Sequence, residues 1–203
     1  DGASVGSIKN LQQVKKVIES VEEPVVVVVS AVDGMTDRLI TTSTLAAQGS
    51  ATYIDEYNEI VNVHNHIVEG IISTSMRESV LSEIALLHEE LGNILKGVYL
   101  IKDLTEKTEN AILSYGERIS SLFVSKFIDA TLFDSRSFIK TNTSFVRSNV
   151  DFDLSYSLIK EAFKNMPKRV VIAGYIATAT ESEEVTTLGR GGSDYTASLV
   201  ASA

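Results

Sequence analysis

The chain has no cysteine and no tryptophan, and only two prolines, Pro24 and Pro167, among its 203 residues. Without cysteine there is no disulfide, no thiol nucleophile and no cysteine-ligated metal. Basic residues are in the minority: 18 lysines and arginines stand against 27 aspartates and glutamates, a net charge of −9. That balance argues against nucleic acid as a partner, because binding a phosphate backbone needs a basic surface. Long apolar runs are missing too. The run Val25 to Val29 is far below the roughly 20 residues that cross a bilayer. No basic-then-apolar signal segment opens the chain. The expectations are therefore no membrane association and a cytoplasmic location. What remains is ordinary globular material, 44% hydrophobic and 22% charged, long enough to bury the core of one domain or one large lobe.

The apolar pattern alternates between helical and strand periods. Ile8, Leu11, Val14, Ile18 and Val21 predict an amphipathic helix over Ser7 to Glu23. Val25 to Val29 reads as a buried parallel strand covered on both faces. Thr36 reads as the N-cap of a helix from about Asp37 to Gln48. From Ala51 to Lys96 two helical stripes are parted by a polar break between Ser73 and Arg77. Further helices are expected over Glu106 to Asp129, and from Asp151 or Asp153 to just before Pro167. Short strands are expected at Ala130 to Phe133, Arg169 to Ala173 and Val185 to Leu188, with Thr178 to Glu184 as a polar turn. Such alternation favours an α/β layered fold with a mainly parallel sheet. Ligands in these folds sit at the carboxyl ends of the strands. The chain opens in what reads as a glycine-rich turn, Asp1 to Gly6, and stops inside the helical run Tyr195 to Ala203 without a stop signal. A piece of a larger protein is the expectation.

The stretch Thr186-Thr187-Leu188-Gly189-Arg190-Gly191-Gly192-Ser193-Asp194-Tyr195-Thr196-Ala197 carries the most chemical information. Glycines permit a tight turn and a close ligand approach. The helix start behind them offers free N–H groups to an anion, and Arg190 adds a planar fork for a carboxylate or phosphate. Asp194 would repel a phosphate and suits the orientation of a cation. The bland alternative is a glycine turn that binds nothing.

The whole string resembles the T-T-L-G-R-G-G-S-D-Y-[ST]-A signature of aspartate kinases, in the amino-acid kinase family. Further segments match in the order the family has them. At the start, Gly2, Ser4 and Val5 match the end of K-F-G-G-[TS]-S-V. Asp1 stands at the first glycine, Ala3 replaces the threonine, and the lysine is absent. A disordered terminus is the alternative there. Ser30-Ala31-Val32-Asp33-Gly34-Met35-Thr36-Asp37 resembles S-A-x-x-G-x-T-[DN]. Ser114-Tyr115-Gly116-Glu117 matches S-[HY]-G-E; its spacing by itself favours a helix-capping box, while the glycine and the helical stretch before it argue for a special backbone approach in mid-helix. The segment Phe133-Asp134-Ser135-Arg136 resembles F-D-x-R, with Asp134 preferred as a structural cap.

The resemblance implies a three-layer αβα sandwich with a mainly parallel central sheet, truncated and carrying a helical insertion. Residues 1–203 would be the aspartate-binding lobe of the kinase domain, without its nucleotide lobe or regulatory domains. The implied reaction moves the γ-phosphoryl of ATP, with Mg2+, to the β-carboxylate of L-aspartate, the first step toward lysine, threonine and methionine. Ser30, Ala31, Thr36, Glu117, Arg190 and Ser193 would bind the substrate. Glu117 would take its ammonium and Arg190 its carboxylate. Asp194 would be the catalytic residue, organising lysines, with Gly2, Ser4, Gly189, Gly191 and Gly192 forming the phosphate loops. No metal ligands are assigned. The full-length protein would be a homo-oligomer, and little turnover is expected from these residues alone. The region Ala51 to Leu113, with Tyr99 to Leu104, looks most like the branch fused to homoserine dehydrogenase. The rivals are another kinase of this fold, acting on glutamate, acetylglutamate or a nucleoside monophosphate, and a non-enzymatic helical interaction module. His64 and His66, two apart on a predicted helix, point to nearly opposite sides, which argues against a metal site. Glu181, Glu183 and Glu184 read as a solvated turn.

Overall fold

The computed structural model describes residues 2–142 and 149–203. Asp1, which stands at the position of the family's first glycine, lies outside the described residues. Strands are β1 (Val25–Val29), β2 (Thr131–Phe133), β3 (Lys140–Thr141), β4 (Arg169–Ala173), β5 (Ile176–Ala179) and β6 (Val185–Thr187). Helices are α1 (Gly2–Val5), α2 (Ile8–Glu19), α3 (Met35–Ala47), α4 (Tyr53–Ile71), α5 (Thr74–Ile101), α6 (Glu106–Phe127), α7 (Phe152–Phe163) and α8 (Gly192–Ser202).

One sheet has the order β1-β4-β2 and is wholly parallel, with Val27 and Leu132 both in register with Val171. The other has the order β3-β5-β6, in which β5 pairs parallel with β3 and antiparallel with β6. The pleat of the first sheet separates two cores. Val25, Val27 and Val171 face a large core shared with α2 to α6. Val26, Val28, Val170 and Ile172 face a smaller one, built with Ile159 of α7 and Leu199 of α8. This is the three-layer sandwich that the resemblance implies, since alternate residues of a strand feed opposite faces.

Local chemistry accounts for most boundaries. Ser7 caps α2 by accepting the Asn10 N–H at 3.1 Å. Thr105 caps α6 through the Thr108 N–H, and Asp151 caps α7 through the Leu154 N–H. The break between α4 and α5 falls at Ile72 and Ser73, where the polar stretch begins. Asp134 caps a 3-10 turn at Ser135–Ser137 and holds Arg136 through its side chain, the structural role preferred for it.

Several expectations are corrected. Residues Gly2–Val5 form a short helix, not a glycine-rich turn or a disordered end. Helix α2 ends at Glu19, short of Glu23. Ser20 turns its hydroxyl back onto the Val17 carbonyl, and the approach to Pro24 disfavours helical geometry. Strand β1 is mostly half-buried, because β4 covers only one of its edges. Full burial belongs to the central strand, where Val170, Val171 and Ile172 are inaccessible. Thr36 is not a cap: α3 starts at Met35 behind Gly34, which takes φ 71° and makes no side-chain cap bond. Thr178 and Ala179 belong to β5 rather than to a polar turn. The string Ile176-Ala177-Thr178-Ala179 hides its strand character behind small residues. Glu184 pairs with Lys107 of α6, so that acid is not merely solvated. Among the described residues, no helix is long and apolar enough to cross a membrane.

Candidate functional site: a cleft at the strand ends

Three loops gather beside the carboxyl ends of β1, β4 and β6. The first carries Ser30 and Ala31 into α3. The second turns β4 into β5 through Gly174 and Tyr175. The third, Leu188 to Gly191, leads into α8. Its curvature needs glycine: Gly189 and Gly191 take φ 74° and 76°, a region that costs residues with a Cβ. The loop is clamped from the second turn. Leu188 donates its N–H to the Tyr175 carbonyl at 2.8 Å, and the Tyr175 N–H reaches the Thr196 hydroxyl at 3.2 Å. A side chain on Gly174 would meet Ser193 at 2.6 Å, so these turns are in close contact.

Between the loops and α6 lie two cavities of about 280 and 270 Å³ that share Ser30, Thr36 and Glu117. The first is completed by Gly189, Arg190, Gly191, Gly192, Ser193 and Asp194, with Tyr175. The second is completed by Gly2, Ala31 and the turn Val32 to Gly34, with Asp37. The expected site residues, scattered over nearly the whole chain, thus line one cleft. The exception is Ser4, half-buried in α1 and not among the described lining residues. Helix α8 begins behind Gly191 without a capping side chain, so its first amides present positive partial charge to the cleft. Larger hollows lie elsewhere, about 770 Å³ between α4 and α5 and about 420 Å³ beside the end of β2. Neither includes a residue of this cleft.

Glu117 is the unusual group. It sits well inside α6 and is 3% exposed, so the capping-box reading of Ser114 to Glu117 is overturned. Helix α6 starts at Glu106 under the Thr105 cap, and Ser114 bonds the Ala111 carbonyl within the helix. Gly116 lets the helix approach the first loop: a Cβ there would meet the Ala31 Cβ at 2.9 Å. That closeness lets Ala31 donate its N–H to Glu117 Oε1 at 3.3 Å. The other oxygen, Oε2, is buried without a hydrogen-bond partner among the described residues. Burial pushes the Glu117 carboxyl up to about 8, only partly offset by hydrogen bonds from the backbone. A buried acceptor with no donor is costly, and here it borders a cleft.

Sequence reasoning missed Tyr175. It follows a strand end in a parallel sheet, the place where such folds bind ligands, but nothing in its own sequence marks it. It takes φ 66°, uncommon for a residue with a bulky side chain. Burial raises its hydroxyl above the usual tyrosine range; a hydrogen bond with Thr187 opposes that rise, and the Glu117 charge adds to it. Asp33 and Asp37 also line the cleft. Among the described residues, no group of three or more acidic or histidine side chains is arranged to hold a metal.

Comparison with known proteins gives one answer. The chain is 29% identical to aspartokinase 3, chloroplastic, of Arabidopsis thaliana, over the whole of this chain and 37% of that protein. It is 28% identical to the aspartokinase of Chlamydia trachomatis, over 98% of this chain and 44% of that one. A bifunctional aspartokinase/homoserine dehydrogenase of Arabidopsis thaliana is 25% identical, over 98% of this chain and 22% of that protein. The fold matches that of Escherichia coli aspartokinase III in complex with aspartate and ADP, with a TM-score of 0.85 and 25% identity over 98% of this chain and 44% of that chain. The chain therefore spans less than half the length of these relatives. Residues 2–203 match the amino acid kinase family, and the chain belongs to that family.

Proposed function

We propose that this chain is the amino-acid-binding lobe of an aspartate kinase, which phosphorylates the β-carboxylate of L-aspartate to 4-phospho-L-aspartate. The observation that carries the reading is that Glu117 and Arg190, 73 positions apart in the chain, line one cavity. An acid and an arginine facing one space can read the two charges of an α-amino acid. Arg190 would grip the α-carboxylate with its fork, and Glu117 would pair with the ammonium through the oxygen that lacks a partner. Ser30 and Ser193 would orient the substrate, and Ala31 and Thr36 would close the pocket around it. Asp194, at the start of α8, would organise cationic groups near the transferring phosphoryl.

ATP with Mg2+ would supply the phosphoryl group. On this chain the parts suited to phosphate are the uncapped start of α8, Gly189 to Gly192, and Gly2 across the cleft. Their contribution is positioning and charge stabilisation, which dominates phosphoryl transfer. The nucleotide lobe and the regulatory domains would lie outside these residues, and the full-length protein would assemble as a homo-oligomer. Relatives with and without a homoserine dehydrogenase are both similar to the chain, and the resemblance of Ala51 to Leu113 favours the fused branch. The cytoplasm is the proposed compartment, although chloroplastic enzymes stand among the similar proteins.

The test is thermal stability with millimolar L-aspartate beside L-glutamate and N-acetylglutamate, on this chain and on Arg190→Ala. A ligand that binds only the folded state stabilises it by about 2.7 kcal/mol at a hundred times its Kd. A rise in Tm specific to aspartate and lost in Arg190→Ala is the expected result. A folded protein that responds equally to all three, or to none, overturns the reading.

A further inference from the structure

We infer that the cleft is proton-coupled: Glu117 holds a proton in the free protein, and an ammonium-bearing ligand expels it on binding. The inference rests on the proposed function, which supplies the ammonium. It concerns the resting state of the site and its dependence on pH rather than the identity of the substrate.

Glu117 is almost wholly buried in α6. Oε1 accepts from the Ala31 N–H at a long 3.3 Å, and Oε2 has no donor among the described residues. One weak hydrogen bond does not replace the hydration of a carboxylate, which loses far more on burial than a neutral acid does. The groups around it give little help. The first loop contributes Asp33 and α3 contributes Asp37, both exposed acids. The glycine loop and the start of α8 contribute Arg190 and Asp194, opposite in sign and both exposed. The β4–β5 corner contributes Tyr175, a neutral phenol. Strand β1 offers valines, α1 offers no titratable group, and β6 offers only Val185, Thr186 and Thr187. The bases of α6 are engaged elsewhere: Lys107 with Glu184, Arg118 with Glu90 of α5, and Lys126 with Glu83 of α5. Buried His64 of α4 and His88 of α5 pair with each other. Among the described lining residues Arg190 is the one cation, and solvent screens it. The upward shift of the Glu117 carboxyl agrees with this arrangement.

Before binding, Glu117 is a neutral acid. An ammonium placed against Oε2 keeps its own protons and favours the carboxylate, so the acid proton passes to the buffer. One proton leaves for each ligand bound. In the free protein only the ionised fraction is competent, and apparent affinity falls by that fraction.

The experiment is calorimetric titration of L-aspartate into the protein at pH 6 to 9, in buffers of different ionisation enthalpy. Between pH 6 and 7, release of close to one proton per ligand is expected, with apparent affinity rising on the order of tenfold. Above pH 8 proton release should fall toward zero and the affinity should level off. Glu117→Gln keeps an acceptor for Ala31 but has no proton to lose. Its weaker binding should release none and should not follow pH over this range. Binding without proton release at pH 6 to 7 overturns the inference and leaves the proposed function standing, as does release that persists in Glu117→Gln. If aspartate does not bind, the proposed function fails, and carboxyl 13C NMR of the free protein judges the resting state. A Glu117 resonance already ionised at pH 6 overturns it, and one that is neutral there supports it.

Discussion

Two buried polar sites among the helices make an instructive pair. His64 of α4 and His88 of α5 face each other across the helical hairpin, Nδ1 to Nε2 at 3.0 Å, with rings stacked at 5.2 Å between centroids. His64 also packs near Phe123 of α6. On α6 itself, Glu117 is likewise buried but keeps an oxygen without a partner among the described residues, on a residue that lines an open cleft. The histidines hold each other, since one neutral ring can donate where the other accepts. His88 reaches the edge of the hollow between α4 and α5. The unpartnered atom of the pair, Nε2, belongs instead to His64, which is inaccessible and not among the described residues lining that hollow. Among the described residues Glu117 has only a backbone N–H, and its unmet need lies beside a cavity of about 280 Å³. Burial alone does not separate structure from function here. What separates them is whether the residue with the incomplete group opens onto a cavity.

The strongest test of the structural half is Phe123→Ala. Phe123 is inaccessible in the large core beside His64, and removing such a ring costs about 3–5 kcal/mol. Denaturant unfolding should show that loss. A cost below about 1 kcal/mol, typical of a site that is not tightly packed, would mean the hairpin does not rest on α6 as described.

The pH dependence of the two sites should run in opposite directions. Burial lowers His64 to about 3, with His88 adding to the shift, and burial lowers His88 to about 4. Both rings are charged more easily in the unfolded chain, near the usual 6.5. Their contribution is therefore full above about pH 6.5 and lost as pH falls toward 4 and 3. Glu117 is raised, so its contribution is full below its ordinary value of 4.5 and lost as pH rises through about 8. Replacing both histidines by leucine should flatten the acid side of a Tm-versus-pH curve. Glu117→Gln should flatten the alkaline side. The same slopes in the variants and the parent would break the comparison.

A smaller effect is expected from Gly116→Ala, which sharpens the functional half. The new methyl would press on Ala31, whose Cβ is fixed to the backbone and cannot swing aside. Overpacking of this kind costs about 1–3 kcal/mol. It should also shift the Ala31 amide, the donor to Glu117 Oε1, in an amide NMR spectrum. An unperturbed Ala31 would show that the close approach of helix and loop does not hold Glu117.

Arg190→Ala should change stability least, within about 0.5 kcal/mol, because Arg190 is exposed. Its effect belongs to ligand response, and unfolding in denaturant without ligand should leave it close to the parent.

The sequence by itself determined much of this protein. Valine runs and helical stripes set the alternation of elements, because period and burial are local properties of the chain. Ser7, Thr105 and Asp151 set helix starts through bonds to residues three further on. Arg190 and its glycines are legible because a left-handed turn needs glycine at those positions. The tertiary structure decided the rest. Ser114 to Glu117 has the spacing of a cap, although the helix expected over Glu106 to Asp129 already runs through it; the packing of Gly116 against Ala31 and the burial of Glu117 are what long-range structure added. Thr36 reads as a cap until Gly34 takes that place. His88 lies 24 residues from His64, and no local pattern could pair them. Tyr175 acquires its place because the turn after β4 holds the loop that follows β6. That Glu117 is buried beside the cavity of Arg190 depends on loops from three strand ends meeting over one helix, an arrangement set by long-range packing rather than by spacing along the chain.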